Sequence, residues 1–315
     1  MLKKIILSTA ILAQTWACGG EDEKPVAKAE AAAYEPFAKT NTTEASHALG
    51  AYRSLKKEVD KGNFTAARNI YLTLQTQVRG VRDPSAPATA AAAGDILDAE
   101  LMRWLDRGVA AHGDDLRVPM AQESVRKTFI DVQYLVMLEH LRFDAKAWDM
   151  AYAWFGAPVA DGDVERFGVA DIVHTRDVAH GMEHEARIIN AFRDGKRAIQ
   201  DNDSDALTHA RATIIDTVIN SHAYATRFEV EEVIDFAQKN DNALVWREFA
   251  EFQAMYRPLG RHMHGRGGES AKRADAIGEL LEEIDFDGLA AYPKDFIKRF
   301  EQIKADLTAE YNLAH

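Results

Sequence analysis

The 315-residue chain predicts an all-α protein built as an antiparallel multi-helix bundle. Three observations lead there. Apolar residues recur at helical spacing along almost the whole chain. Strand-like alternation is nearly absent. The helical runs are separated by short Gly-, Pro- or Asp-containing breaks, which favour antiparallel neighbours.

Thr43-Glu44 opens the first helix, with Leu49, Tyr52, Leu55 and Val59 on one face, and Gly62-Asn63 ends it. Phe64 to Val81 follows, with Ile70, Leu74 and Val78 in phase. Asp83-Pro84-Ser85-Ala86-Pro87 reads as a loop. Ala88 to Ala111 is a third helix, broken by Asp114 to Pro119. A fourth runs from Gln122 to Phe143 and a short fifth from Ala145 to Phe155, before a Gly/Asp loop from Pro158 to Phe167. Val169 to Ile199, Ser204 to Lys239 and Ala243 to Tyr256 are the next helices. Gly260 to Gly268 reads as an Arg/His/Gly loop, and Glu269 to Ile284 and Pro293 to Asn312 finish the chain. The expected organisation is a leader over 1–17, a flexible tether over 18–43 and a helical body over 44–315, with a division into two packed halves near 119 left open. A body of about 270 residues is long enough to bury a large core.

The N-terminus predicts an address. Met1-Leu2-Lys3-Lys4 is positive, Ile5 to Leu12 is a short apolar run, and Ala17-Cys18-Gly19-Gly20 closes it. That is the layout of a secretory signal peptide, too short to span a membrane. Cys18 is the single cysteine, so it has no intrachain disulfide to make. Its place after Ala17 resembles the lipobox of bacterial lipoproteins, although Thr15-Trp16 departs from that pattern. The resemblance implies lipidation at Cys18, a periplasmic or cell-surface location, and, because Gly19 follows, the outer membrane. Glu21 to Thr43, rich in Glu, Lys, Ala and Pro, reads as the tether.

The chain carries 38 basic and 50 acidic side chains, for a net charge of -12, and loss of Lys3 and Lys4 with the leader takes it to -14. Such acidity argues against nucleic acid or an anionic lipid surface as partner, the lipid anchor apart. It is compatible with cation capture.

Glutamates stand where apolar residues are expected. In Thr175 to Gly195, read as one helix, Val178, Met182, Ile189 and Phe192 form a stripe with Glu185 in its middle. In Ser204 to Ala237 the stripe is Leu207, Ala210, Ile214, Val218, Ala225, Phe228 and Phe236, and Glu232 lies on it. Glu139-His140 interrupts the apolar run Tyr134 to Leu138. A buried carboxylate is costly unless it is paired or bound to a cation. Three of them on three helices point to one shared metal ion. The candidate ligands are Glu139, Glu185, Glu232 and His184, followed by His180, Glu183 and His140. His180 and His184 share a helix face, but neither HExxH nor a repeated Glu-x-x-His motif is present. The competing reading pairs each glutamate with its own arginine, Arg176 or Arg187 for Glu139. Glu229 and Glu231, late in their helix, read as solvated, and His222 reads as a core histidine. His262-Met-His264, among Arg257, Arg261 and Arg266, suits an anion at least as well as a cation. The aromatics Trp148, Tyr152, Trp154, Phe155, Trp246, Phe249, Phe252 and Tyr256 read as core. Gly-x-Ser-x-Gly and Gly-rich phosphate loops are absent from the sequence.

Lys146-Ala-Trp148-Asp149-Met-Ala-Tyr152-Ala-Trp154-Phe155-Gly156 resembles the Trp-Asp-x-Ala-x-x-x-(aromatic)-Gly signature of the algal periplasmic iron-assimilation proteins, the high-carbon-dioxide-inducible family with bacterial relatives. Ile214 to Leu281 is similar in layout, and the resemblance spans Gln122 to Ile284. It implies an extracytoplasmic helical protein tied to iron uptake and an uptake-system partner, and it carries over no ligand set. A looser similarity, through His180 and Glu183, is to imelysin-like periplasmic proteins, which implies a hydrolase instead. Carboxylates with a few imidazoles suit iron or manganese, with zinc as a further choice. The expectation is therefore an iron-binding lipoprotein. The alternatives are a metal-dependent enzyme and a structural, partner-binding bundle with arginine-paired carboxylates.

Overall fold

Eleven helices and no strand make up the described residues of the computed structural model, which are 34–38, 40–83, 93–157, 166–282 and 295–313. The leader, Cys18, the tether up to residue 33, and most of the Asp83–Pro87 and Pro158–Phe167 loops lie outside them, as do Ile284 and Pro293. The all-α expectation is met. No helix among the described residues is long and apolar enough to cross a membrane.

The helices are α1 (Thr43–Asp60), α2 (Phe64–Gly80), α3 (Ala93–Ala110), α4 (Arg117–His140), α5 (Ala145–Phe155), α6 (Val169–His180), α7 (His184–Asp201), α8 (Ser204–Gln238), α9 (Asn242–Arg266), α10 (Gly268–Glu282) and α11 (Phe296–Tyr311). Side-chain caps fix several starts. Asn63, Asp144, Asp203 and Asp241 each accept a backbone N–H from the first turn of α2, α5, α8 and α9. Gly156 and Gly181 end α5 and α6 in the left-handed region at φ 82° and 64°.

Gly181 corrects the sequence reading. Val169 to Ile199 is two helices, not one, because Gly181-Met182-Glu183 interrupts it. The interruption resets the helical phase, so Val178 does not belong to a stripe with Ile189 and Phe192. It is 72% exposed, while those two are buried. The Gly260–Gly268 loop is also corrected. α9 continues as helix through Pro258 to Arg266, and the first left-handed residue is Gly267.

The tether is shorter than expected. Tyr34 is fully buried. Asp149 on α5 accepts hydrogen bonds from the Tyr34 hydroxyl at 2.6 Å, the Phe37 amide at 2.8 Å and the Thr40 hydroxyl. Lys196 donates to the carbonyls of Glu35 and Pro36 and lies over the Tyr34 and Phe37 rings. Glu/Lys/Pro composition suggested a disordered segment, but its two aromatics have a prepared seat. Beneath them Tyr152, Phe155, Phe192 and Trp148 pack edge-to-face or tilted. The Trp148 indole donates to the Phe192 carbonyl at 2.9 Å. Gly195 permits this approach, since a Cβ there would stand 2.0 Å from the Trp148 ring. The eight aromatics expected in the core are all buried.

α9 lies against α4, α8 and α10, and α8 packs in addition on α6, α7 and α11. The described residues belong to one packed unit. The surface of α9 that packs on α4 and α8 is rich in charge.

Candidate metal centre

Two carboxylate pairs face each other where α8 meets α9. Glu229 and Glu232 lie three apart on α8, and Glu248 and Glu251 three apart on α9, so each pair shares a helix face. Glu232 and Glu248 sit eight residues either side of Asn240, and Glu229 and Glu251 eleven. A turn at Asn240, where φ is 58°, therefore brings like to like. One oxygen each from Glu229, Glu232 and Glu248 lie within 4.8 Å of one another, the sole such acidic or histidine trio among the described residues. Glu229 is 5% exposed and Glu248 2%.

The surrounding charges are specific. Lys127 on α4 is ion-paired with Glu251, both side chains being largely buried. Arg247 pairs with its neighbour Glu248. Arg126 holds Glu123 at 2.6 Å and lies 3.7 Å from the exposed Asp60. Among the described residues Glu229 and Glu232 form no ion pair, and Glu229's hydrogen-bonding partner is another carboxyl, Glu251.

These surroundings govern protonation. Burial, and then Glu251, drives the Glu229 carboxyl well above its ordinary range. Burial pushes Glu248 up to about 7 against the opposing pull of Arg247. Glu123 is pushed up to about 7 by burial and by Glu251. Glu232 is raised for the same two reasons. Burial also acts on Glu251, but the Lys127 ammonium outweighs it and holds this carboxyl below its usual value. Lys127 is raised, because Glu251, Glu229 and Glu123 outweigh its own burial. Five carboxyls thus face three cations, leaving an excess of two negative charges. Two protons or one divalent cation would balance it.

Of the expected ligands, the structure places Glu232 alone in this group. Glu139 sits at the end of α4, where the Arg82 amide donates to it at 2.5 Å. His140 is beside it, with Nδ1 buried and without a hydrogen-bond partner. Glu185 accepts from Arg166 at 2.6 Å and contacts His174 at 3.1 Å. For Glu185, then, the arginine-paired reading holds, with an arginine the sequence did not single out. His184 Nδ1 meets the Ser221 hydroxyl at 2.9 Å, and its amide, like that of Glu185, is capped by Asp177. His180 is exposed and packs on the Tyr224 ring, and Glu183 is exposed in the α6–α7 connection. Glu139, Glu185 and Glu232 therefore do not converge. The expectation of one shared ion failed because Glu185 was phased through a break and Glu139 sits at a helix end.

Glu229 corrects a further reading: it is buried, not solvated. Glu231 is half-buried and pairs with Lys304 at 2.9 Å. His222 is buried as expected, its pKa pushed down to about 4 by burial. The arginines near His262 are engaged too. Arg257 reaches Glu100, Arg261 reaches Asp131 and Asp83, and Arg266 and Arg273 both hold Glu310. Glu248, Glu251 and Glu123 were missed outright. The signal that could have found them is the repeated Glu-x-x-Glu, placed symmetrically about a helical turn. No family model, curated protein or solved structure matches the chain.

Proposed function

We propose that the protein binds a divalent metal ion at Glu229, Glu232 and Glu248, with iron(II) the first choice and manganese(II) the second, for capture or delivery. The observation that carries this reading is the trio itself: three carboxylate oxygens within 4.8 Å, with no ion pair to Glu229 or Glu232 among the described residues. An all-oxygen donor set suits hard ions and does not favour copper, and zinc sites draw more on imidazole and thiolate. The excess of two negative charges fits a +2 ion. The resemblance of Trp148 to Gly156 to iron-assimilation proteins supports uptake over turnover, and with it an uptake-system partner. The leader and Cys18 support a lipid anchor at the outer membrane, facing the periplasm or the cell surface. Membrane fractionation of wild type and Cys18→Ala tests the anchor: loss of membrane association in the variant is expected, and an unchanged distribution contradicts it.

A structural reading is favoured by one feature, the Arg247–Glu248 and Lys127–Glu251 pairs, which would let the remaining carboxyls simply hold protons. Metal analysis of protein purified without chelator, with thermal shifts on adding manganese(II) or anaerobic iron(II), separates the two. A bound ion and a raised Tm are expected. Neither would occur in a proton-holding bundle.

A further inference from the structure

The geometry points to Lys127 as the residue that sets the charge of the cation this site accepts, favouring a divalent over a trivalent ion. The inference rests on the proposed metal centre and deepens it. Lys127 comes from α4, a different helix from the two that carry the trio. Its ammonium is ion-paired with Glu251 and also feels the charges of Glu229 and Glu123. Glu229 is 5% exposed, belongs to the trio and forms no ion pair among the described residues. Lys127 is therefore a positive charge held beside the trio through Glu251, and an incoming ion at Glu229 must share that carboxylate with its field.

The charge count gives the consequence. Glu123, Glu229, Glu232, Glu248 and Glu251 face Arg126, Lys127 and Arg247. At the rim Arg176 and Asp235 act on Glu232 in opposite directions. With Lys127 present the group lacks two positive charges, and without it three. A buried unit charge a few ångströms from a metal opposes a trivalent ion half as much again as a divalent one. At the effective dielectric of such sites, that difference is worth at least about tenfold in relative affinity.

The test uses manganese(II) and terbium(III) in competition, read by terbium luminescence at fixed pH on the full chain. Lys127→Met is expected to raise the preference for terbium over manganese at least tenfold above wild type. Lys127→Arg keeps the charge and should leave the ratio within about twofold. Glu123→Gln removes a negative charge outside the trio and should move the ratio the other way. An unchanged ratio in Lys127→Met, or a shift of the same sign in Glu123→Gln, overturns the proposal. If Lys127→Met does not fold alone, it is refolded with each ion. Rescue at lower terbium than manganese supports the proposal, and equal rescue or none contradicts it. Wild type that takes up neither ion overturns the metal centre together with this inference, whereas wild type that binds manganese while the ratio stays fixed overturns this inference alone.

Discussion

Glu229 and Glu185 show how the same residue type does different work in different surroundings. Glu185 is satisfied by Arg166, His174 and the helix start, so Glu185→Gln is expected to destabilise the metal-free protein by about 1–3 kcal/mol, because it leaves Arg166 without its partner. Metal affinity should be unchanged, which a titration would check. Glu229 has a carboxyl for a partner, so Glu229→Gln should cost little stability without metal and lower metal affinity by a hundredfold or more. Asp149 is a third case. It holds three donors from residues 34–40, and Asp149→Ala should release that segment, read as faster amide exchange there and as a stability loss of about 3–5 kcal/mol. Which glutamates matter was only partly legible in the sequence. A helical stripe tells that a carboxylate points inward, but not whether an arginine from a distant segment, such as Arg166, arrives to meet it.

Helices were far more legible than partners, since periodicity and caps are local. The α5 bounds and the start of the long α8 carry local caps at Asp144, Gly156 and Asp203, while α1 begins at Thr43, as expected, without a side-chain cap. The misreadings also have local causes. Gly181 breaks a run that is helical by periodicity, and Pro258 and Gly260, stop signals by composition, both lie buried within α9. Gly181 sits at φ 64° with open space around it. Gly181→Ala should therefore cost about 1 kcal/mol from backbone strain, with no steric clash. Gly195→Ala differs, because its Cβ would enter the Trp148 ring. It should cost about 2 kcal/mol or more, with a change in tryptophan fluorescence. The comparison of the two in one denaturation series separates conformational from packing roles of glycine.

At the scale of the whole molecule, the charged α4–α8–α9 seam makes stability depend on pH and on metal together. Glu248, Glu123 and Glu229 have folded pKa values raised above their unfolded ones. Between about 4.5 and 7 the folded chain keeps protons that the unfolded chain has released, so this contribution weakens as pH rises through that window. His222 acts oppositely. Its folded pKa of about 4 lies below the unfolded value of about 6.5, so its contribution is lost as pH falls between them. Glu248→Gln should flatten the alkaline-side loss, by at most about 3 kcal/mol, and thermal melts of metal-free protein from pH 5 to 8 would show it. A bound ion replaces the protons, so metal should stabilise most near pH 7–8 and least near pH 5. The most direct test of the central claim is a calorimetric manganese(II) titration at pH 7.5 of wild type, Glu229→Gln and Glu185→Gln. The account predicts one ion per chain for wild type and for Glu185→Gln, with binding lost in Glu229→Gln. Binding that survives in Glu229→Gln but is lost in Glu185→Gln would contradict it, as would no binding in wild type.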